Sequence, residues 1–354
     1  MLKGGLTVLT DRQKKIMIAI VEGYTDSPNA EPIGSSALTQ YEGLDVSTAT
    51  LRNEMAFLEE MGYLEKTHTS SGRIPTEKGY RLYVEELMNI SDIQEELDDQ
   101  VAQYFENSKL SRKETLGKLV ENIVNNKDFN YGAVVLEKTA YNSLIKKIDF
   151  VYLKNRRGIF VLVTDQGLVL HRDVLIPEGI NVQSIENTVV FLDEQLHDML
   201  LNDFKSAKTI NINADNFFDY ISNAPAVIEL CIRNIRRLVD DKRTIIGQYN
   251  ILNHYDFADL NLAQEYISCL KDGSIYQIVE FDAGPIPVIA STETTGVSIK
   301  LGSENHLNIM KKCACITAYF KSKHHTGAIT IYGPLRMKYR QVISFLKALV
   351  NNIK

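Results

Sequence analysis

The chain has 354 residues, 44% hydrophobic and 24% charged, a composition typical of soluble globular domains and enough for two or three at ~100–200 residues each. No apolar run approaches the ~18 residues of a membrane span, and the start, Met1-Leu2-Lys3-Gly4-Gly5, has no signal-peptide core; a cytoplasmic protein without a membrane partner is expected. A net charge of −6 gives no bulk attraction to nucleic acid, so any such attraction must come from a local cluster of cations.

Thr10-Asp11-Arg12-Gln13 reads as a capping box, and Ile16, Met17, Ile20, Val21 and Tyr24 form the apolar stripe of the helix it opens. Asp26-Ser27-Pro28-Asn29 breaks that helix. A short helix from about Gly34 to Tyr41 buries Leu38, and Gly43-Leu44-Asp45 turns the chain. Ser47 caps a third helix with Leu51, Met55 and Leu58 as its buried stripe and Gly62 as its stop. Leu64 to Thr69 reads as a strand, Ser70-Ser71-Gly72-Arg73 as a tight turn, and Ile74-Pro75-Thr76 leads into a helix from Glu77 to about Met88. Helices followed by a hairpin and a further helix are the layout of a winged helix-turn-helix, which reads DNA.

Helical tendency continues through the acidic Asp92–Asp99 stretch to about Asn126, and these helices read as linkers. Tyr131–Leu136 is strand-like. Lys147–Leu153, Gly158–Thr164 and Leu168–Val174 form a β-meander with turns at Asn155-Arg156-Arg157 and Asp165-Gln166-Gly167. Ser184–Leu201, Pro225–Ile246 and Ala263–Leu270 carry helical patterns. Val297–Leu301, Cys313–Phe320 and Ala328–Tyr332 read as strands, Gly333-Pro334 as a turn and Arg336–Ile353 as a closing helix. Two groups of strands separated by helices predict an α+β body, one domain inserted into another.

The helix from Ser47 is the candidate recognition helix. Thr48 and Arg52 share the face opposite its apolar stripe. Arg52 can contact guanine with two hydrogen bonds and Asn53 can do so for adenine, while Thr48 and Thr50 can reach phosphates or a thymine methyl; Ser47 sits with them at the helix start. Residues 1–90 hold nine Lys/Arg against thirteen Asp/Glu, yet Lys66, His68, Arg73, Lys78 and Arg81 lie together with only Glu77 between them. At the hairpin tip, Ser70, Ser71 and Arg73 would meet a phosphate or the minor groove. Thr76 is a helix cap first and a phosphate contact second; Lys78 and Arg81 either touch the backbone or form a solvated face. The reading requires Arg52 and Arg73 to face outward side by side.

Catalytic motifs are missing: no G-x-S-x-G, H-E-x-x-H, phosphate loop or G-x-G-x-x-G occurs, so no catalytic residue, metal or cofactor is expected. The His324-His325 and Asp240-Asp241 dyads read as surface residues. Cys231, Cys269, Cys313 and Cys315 are scattered and read as reduced core thiols, with Cys313 and Cys315 on one face of a strand.

Leu9-Thr10-Asp11-Arg12-Gln13, Pro32-Ile33-Gly34-Ser35, Ser47 to Met55, Leu58-Glu59, Gly62-Tyr63-Leu64, His68 to Thr76 and Gly79-Tyr80-Arg81 resemble the heat-inducible transcription repressor family, HrcA. Leu301-Gly302-Ser303-Glu304-Asn305 and Gly333 to Tyr339 look like that family's late motifs. Ser36 stands where the family often has Arg, and Ser71 where Ala is usual. The resemblance implies a homodimeric repressor of chaperone operons on double-stranded DNA, at an inverted-repeat operator of the CIRCE type, kept active by a GroEL-type chaperonin. It also implies a winged-helix domain at 1–88, linker helices plus a GAF-like domain at 89–145 and 215–354, and an inserted dimerisation domain at 146–214. The alternative is a metabolite-sensing regulator whose GAF-like body binds a ligand near Glu293 and Thr295. An enzyme with an appended winged helix and a winged helix that binds protein are further rivals.

Overall fold

The computed structural model describes residues 9–67, 72–138, 143–207, 224–279, 297–321 and 326–353. His68, Ser70, Ser71, Glu293, Thr295, His324 and His325 lie outside them. The chain divides into one unit of residues 1–136, 243–320 and 328–354 and a second of residues 137–242 and 321–327.

Thr10 opens α1 (Asp11–Asp26) with both halves of the capping box formed. After α2 (Ser35–Leu38), Ser47 caps α3 (Thr48–Glu60) by accepting the Thr50 amide at 3.1 Å. Gly62 ends α3 in the left-handed region, φ +77°. Strands β1 (Leu64–Lys66) and β2 (Arg73–Pro75) pair antiparallel, with Lys66 opposite Arg73, and Ile33 exchanges two backbone hydrogen bonds with Arg73 on the other side. α4 (Glu77–Leu82) follows and runs into a π-helical turn at Tyr83–Leu87. It lies so close to the start of β1 that a Cβ on Gly79 would sit 2.2 Å from the Tyr63 carbonyl oxygen.

α5 (Ser91–Asn107) and α6 (Arg112–Val124) lead to β3 (Gly132–Lys138). The second unit then begins. β4 (Ile145–Tyr152), β5 (Arg157–Thr164) and β6 (Val169–Leu175) form an antiparallel meander; Asn155 and Arg156 at positive φ make the first turn. α7 (Val182–Leu196), α8 (Leu201–Ser206) and α9 (Ala224–Leu238) complete the unit, whose core joins Ile148, Phe160 and Leu162 to Ile185, Leu192, Phe204, Val227 and Ile235. Val151, Tyr152, Val169 and Leu175 of the meander stay exposed.

The chain returns to the first unit with β7 (Lys242–Ile246), α10 (Leu260–Asp272), β8 (Val297–Leu301), β9 (Cys313–Lys321), β10 (Thr326–Pro334) and α11 (Tyr339–Ile353). Its sheet has the order β7-β3-β10-β9-β8. Strand alternation divides the core in two. Ala133, Val135, Ala314, Ile316, Ile329 and Ile331 face one cluster, which includes Val101, Val120, Val342 and Leu346 and continues through Tyr80 and Leu64 into Ile16, Ile20, Leu51 and Met55. Val134, Leu136, Cys313, Cys315, Ala328 and Tyr332 face the other, with Tyr266 and Phe257. The two thiols therefore share a face, as the alternation predicts.

Several sequence expectations change. The helix expected over Pro225–Ile246 stops at Leu238, and Lys242–Ile246 is an edge strand instead. Gly333 and Pro334 continue β10 rather than turning. The helices expected as linkers pack against the body: Val101 of α5 and Leu116, Leu119, Val120 and Val124 of α6 are buried in its core, and Gln94 of α5 donates to the Ser344 carbonyl of α11. The second unit covers residues 137–242 and 321–327 and so contains the 146–214 stretch, with α9 burying its apolar face in that unit's core.

Candidate nucleic-acid interface

α3 presents its polar face at the surface because Leu51, Met55 and Leu58 take the opposite face into the core. Thr48, Arg52 and Asn53 are exposed, as is the cap Ser47; Thr50 is half-buried and its hydroxyl lies 2.9 Å from Ser47 Oγ. Arg52 Nε donates to Ser35 Oγ of α2 at 3.2 Å, which leaves its two terminal guanidinium nitrogens without a protein partner among the described residues. α3 is fixed to α1 by Glu54, which accepts from Gln13 Nε2 at 2.9 Å and lies 3.5 Å from Arg12. The exposed face therefore has fixed backbone geometry and free donors, the requirement for reading base edges.

The basic cluster read from sequence does not assemble beside this face as expected. Arg73 turns inward. It is 8% exposed, and its Nε and one terminal nitrogen each lie 2.8 Å from Glu59 Oε2 on α3. Lys66, its cross-strand neighbour, remains exposed and lies 3.8 Å from the other Glu59 oxygen. Two like charges opposite one another on a hairpin repel; Glu59 offsets them and ties the hairpin to α3. The expectation of Arg73 as a phosphate contact is corrected accordingly, and with it the expectation that Arg52 and Arg73 face outward side by side. Arg73 is taken up by Glu59, the paired-arginine surface does not exist, and any DNA contact by this region rests on the polar face of α3 without Arg73.

Three further residues have structural partners. The Thr76 hydroxyl accepts the Gly79 amide at 3.1 Å and donates to the Gly62 carbonyl at 2.7 Å, so it caps α4. Lys78 Nζ donates to the Met61 carbonyl at 2.7 Å, at the negative end of the α3 dipole, and lies 4.4 Å from the Tyr63 ring centroid. Arg81 belongs to neither expected class: it donates to the Ile299 carbonyl at 3.1 Å and pairs with Glu85 and Glu304. Sequence reasoning missed Glu59, Glu77, Glu304 and Arg336 as organisers of this region. The available signal was a surplus of cations in the hairpin with an acid at the end of α3, 14 residues before Arg73.

The profile of the HrcA protein C-terminal domain matches residues 127–343. The heat-inducible transcription repressor HrcA of Listeria welshimeri serovar 6b is 30% identical over 349 residues, which cover 98% of this chain and 96% of that protein. The protein of the same name from Listeria monocytogenes serotype 4a is similar to the same extent. The chain belongs to the HrcA family. A crystal structure described as that of a hypothetical protein has the same fold, at a TM-score of 0.62 and 20% identity over 98% of each chain. The HrcA profile begins after α6, so the polar face of α3 lies outside it and is covered by the likeness to the full-length HrcA relatives. No described helix of this HrcA-family chain is long and apolar enough to cross a membrane.

Proposed function

We propose that the chain is a heat-shock transcription repressor that binds an inverted-repeat operator of the CIRCE type as a dimer. Family membership supports the repressor class, since the relatives are named heat-inducible transcription repressors. The observation that carries DNA contact is the exposed start of α3, with Ser47, Thr48, Arg52 and Asn53 on a helix anchored at its middle by Glu54 and at its C-terminal end by Glu59. In this reading α1 to α4 with the hairpin act as a winged helix-turn-helix, α3 enters the major groove, and Lys66 with the hairpin tip follows the backbone. Arg73 is a brace in this arrangement, and Thr76, Lys78 and Arg81 serve packing. The five-stranded sheet with helices on both faces is the GAF-like body.

Dimerisation has a physical motive, because one small module makes too few contacts to separate an operator from bulk DNA. The exposed Val151, Tyr152, Val169 and Leu175 of the meander suit an inserted dimerisation domain. A GroEL-type chaperonin would keep the repressor folded. Titration of a labelled inverted-repeat duplex and a scrambled duplex at physiological salt tests the reading. Selective binding of the inverted repeat is expected, and equal affinity for both duplexes overturns it.

A further inference from the structure

Leu301–Asn305 and Gly333–Tyr339 stood out in the sequence, yet neither contributes to the exposed face of α3. Both instead reach the helices that carry it. At the start of α4, Glu77 accepts from the Ser303 amide at 3.1 Å and from the Ser303 hydroxyl at 2.6 Å. One turn on, Arg81 pairs with Glu304, whose carboxylate also accepts the Leu301 amide at 2.8 Å. The approach is close enough that a Cβ on Gly302, at φ +48°, would sit 2.0 Å from Glu77 Oε1. At the end of α1, Arg336 is 7% exposed; it pairs with Asp256 at 2.7 Å and donates to the Ser27 carbonyl at 2.7 Å and the Pro28 carbonyl at 3.4 Å. The buried Tyr80 and Tyr339 rings lie between, their centroids 5.8 Å apart.

We propose that Ser303 and Glu304 are positioning residues for operator binding, forming with Glu77 and Arg81 a latch that holds α3 at one fixed direction on the body. The inference rests on the operator-binding reading above. α1 to α4 pack on the body through the continuous apolar core, with Lys338–Asp26 and Arg340–Glu22 pairs beside it, and a single polar tie on such a non-directional contact resists rotation about it poorly. Attachment at α4 and at the far end of α1 removes that rotation. A dyad operator rewards such rigidity, since the second half-site is engaged at an effective concentration set by how well the two reading heads are pre-aimed. A single half-site gains nothing from it. Glu304 is an acid, so its removal takes no direct attraction to DNA away, and a fall in affinity on its removal must act through the helices it holds.

The test uses full-length protein carrying Ser303→Ala with Glu304→Gln, titrated against a dyad operator and against a duplex bearing one half-site. Affinity for the dyad falls on the order of tenfold, while affinity for the half-site is unchanged or rises slightly as Arg81 is released. Glu304→Asp, which keeps the charge, retains most of the dyad affinity and serves as the second variant should the double substitution lose native circular dichroism. A parallel fall on both duplexes, or an unchanged dyad affinity, overturns the latch. Failure of the parent reading is separately visible, as wild-type protein that does not distinguish the dyad from a scrambled duplex, and it removes the latch with it.

Discussion

Arg52 and Arg73 look equivalent in the sequence and are opposites in the structure. Among the described residues the terminal nitrogens of Arg52 have no protein partner, while Arg73 is buried against Glu59. Their substitutions should separate cleanly. Arg52→Ala is expected to cost ~1–3 kcal/mol of operator binding and to relax preference at one base pair. Arg73→Ala is expected to lower folding stability by roughly 2 kcal/mol, because Glu59 loses a charge-assisted partner, while the salt dependence of DNA binding holds. Urea unfolding and operator titrations at several salt concentrations check both; a salt slope reduced by about 1 in Arg73→Ala would restore that residue to the phosphate contacts. The face of α3 was legible because helical periodicity assigns inward and outward positions. The fate of Arg73 was not, because a sequence shows that a residue is cationic but not whether an acid from another element reaches it first. Three of the four cysteines, Cys231, Cys313 and Cys315, are the buried free thiols expected, while Cys269 is only partly buried; burial pushes the thiols of Cys231 and Cys315 up to about 12.

At the scale of elements, caps and alternation carried most of the fold. Thr10 with Gln13, Ser47, and the alternating residues of β9 each fix a local geometry that needs no distant partner. Lys242–Ile246 was missed because an edge strand of five residues beside a helical pattern gains its identity from pairing within the sheet, not from local propensity. Glycine shows the same division. Gly79→Ala should destabilise by about 2–4 kcal/mol, since the added methyl meets a backbone oxygen and α4 must move away from β1. Gly117, inside α6, has open space around it, and Gly117→Ala should stabilise by roughly 0.5–1 kcal/mol through helix propensity. Thermal or urea melts of the two variants should move in opposite directions. Movement in the same direction would mean that packing of α4 against Tyr63 is not limiting.

For the whole molecule, the governing fact is that the first unit is discontinuous. β3, at residues 132–138, lies in the sheet between β7 at 242–246 and β10 at 326–334, and α1 is held at its end by Arg336. α1 and α4 therefore reach their packed position only after the chain on either side of the second unit has closed. Such non-local closure is slow, and it leaves the faces of a sheet buried on both sides exposed in the meantime. The heat response follows from this arrangement if heating opens the first unit and refolding competes with aggregation. After heating and cooling without a chaperonin, operator binding is expected to return slowly and incompletely, and less completely at higher protein concentration. Adding a GroEL-type chaperonin with ATP should raise the recovered fraction and remove the concentration dependence. Operator titration at intervals after cooling measures both, and prompt full recovery of binding at every concentration without chaperonin would detach the heat response from folding of this unit.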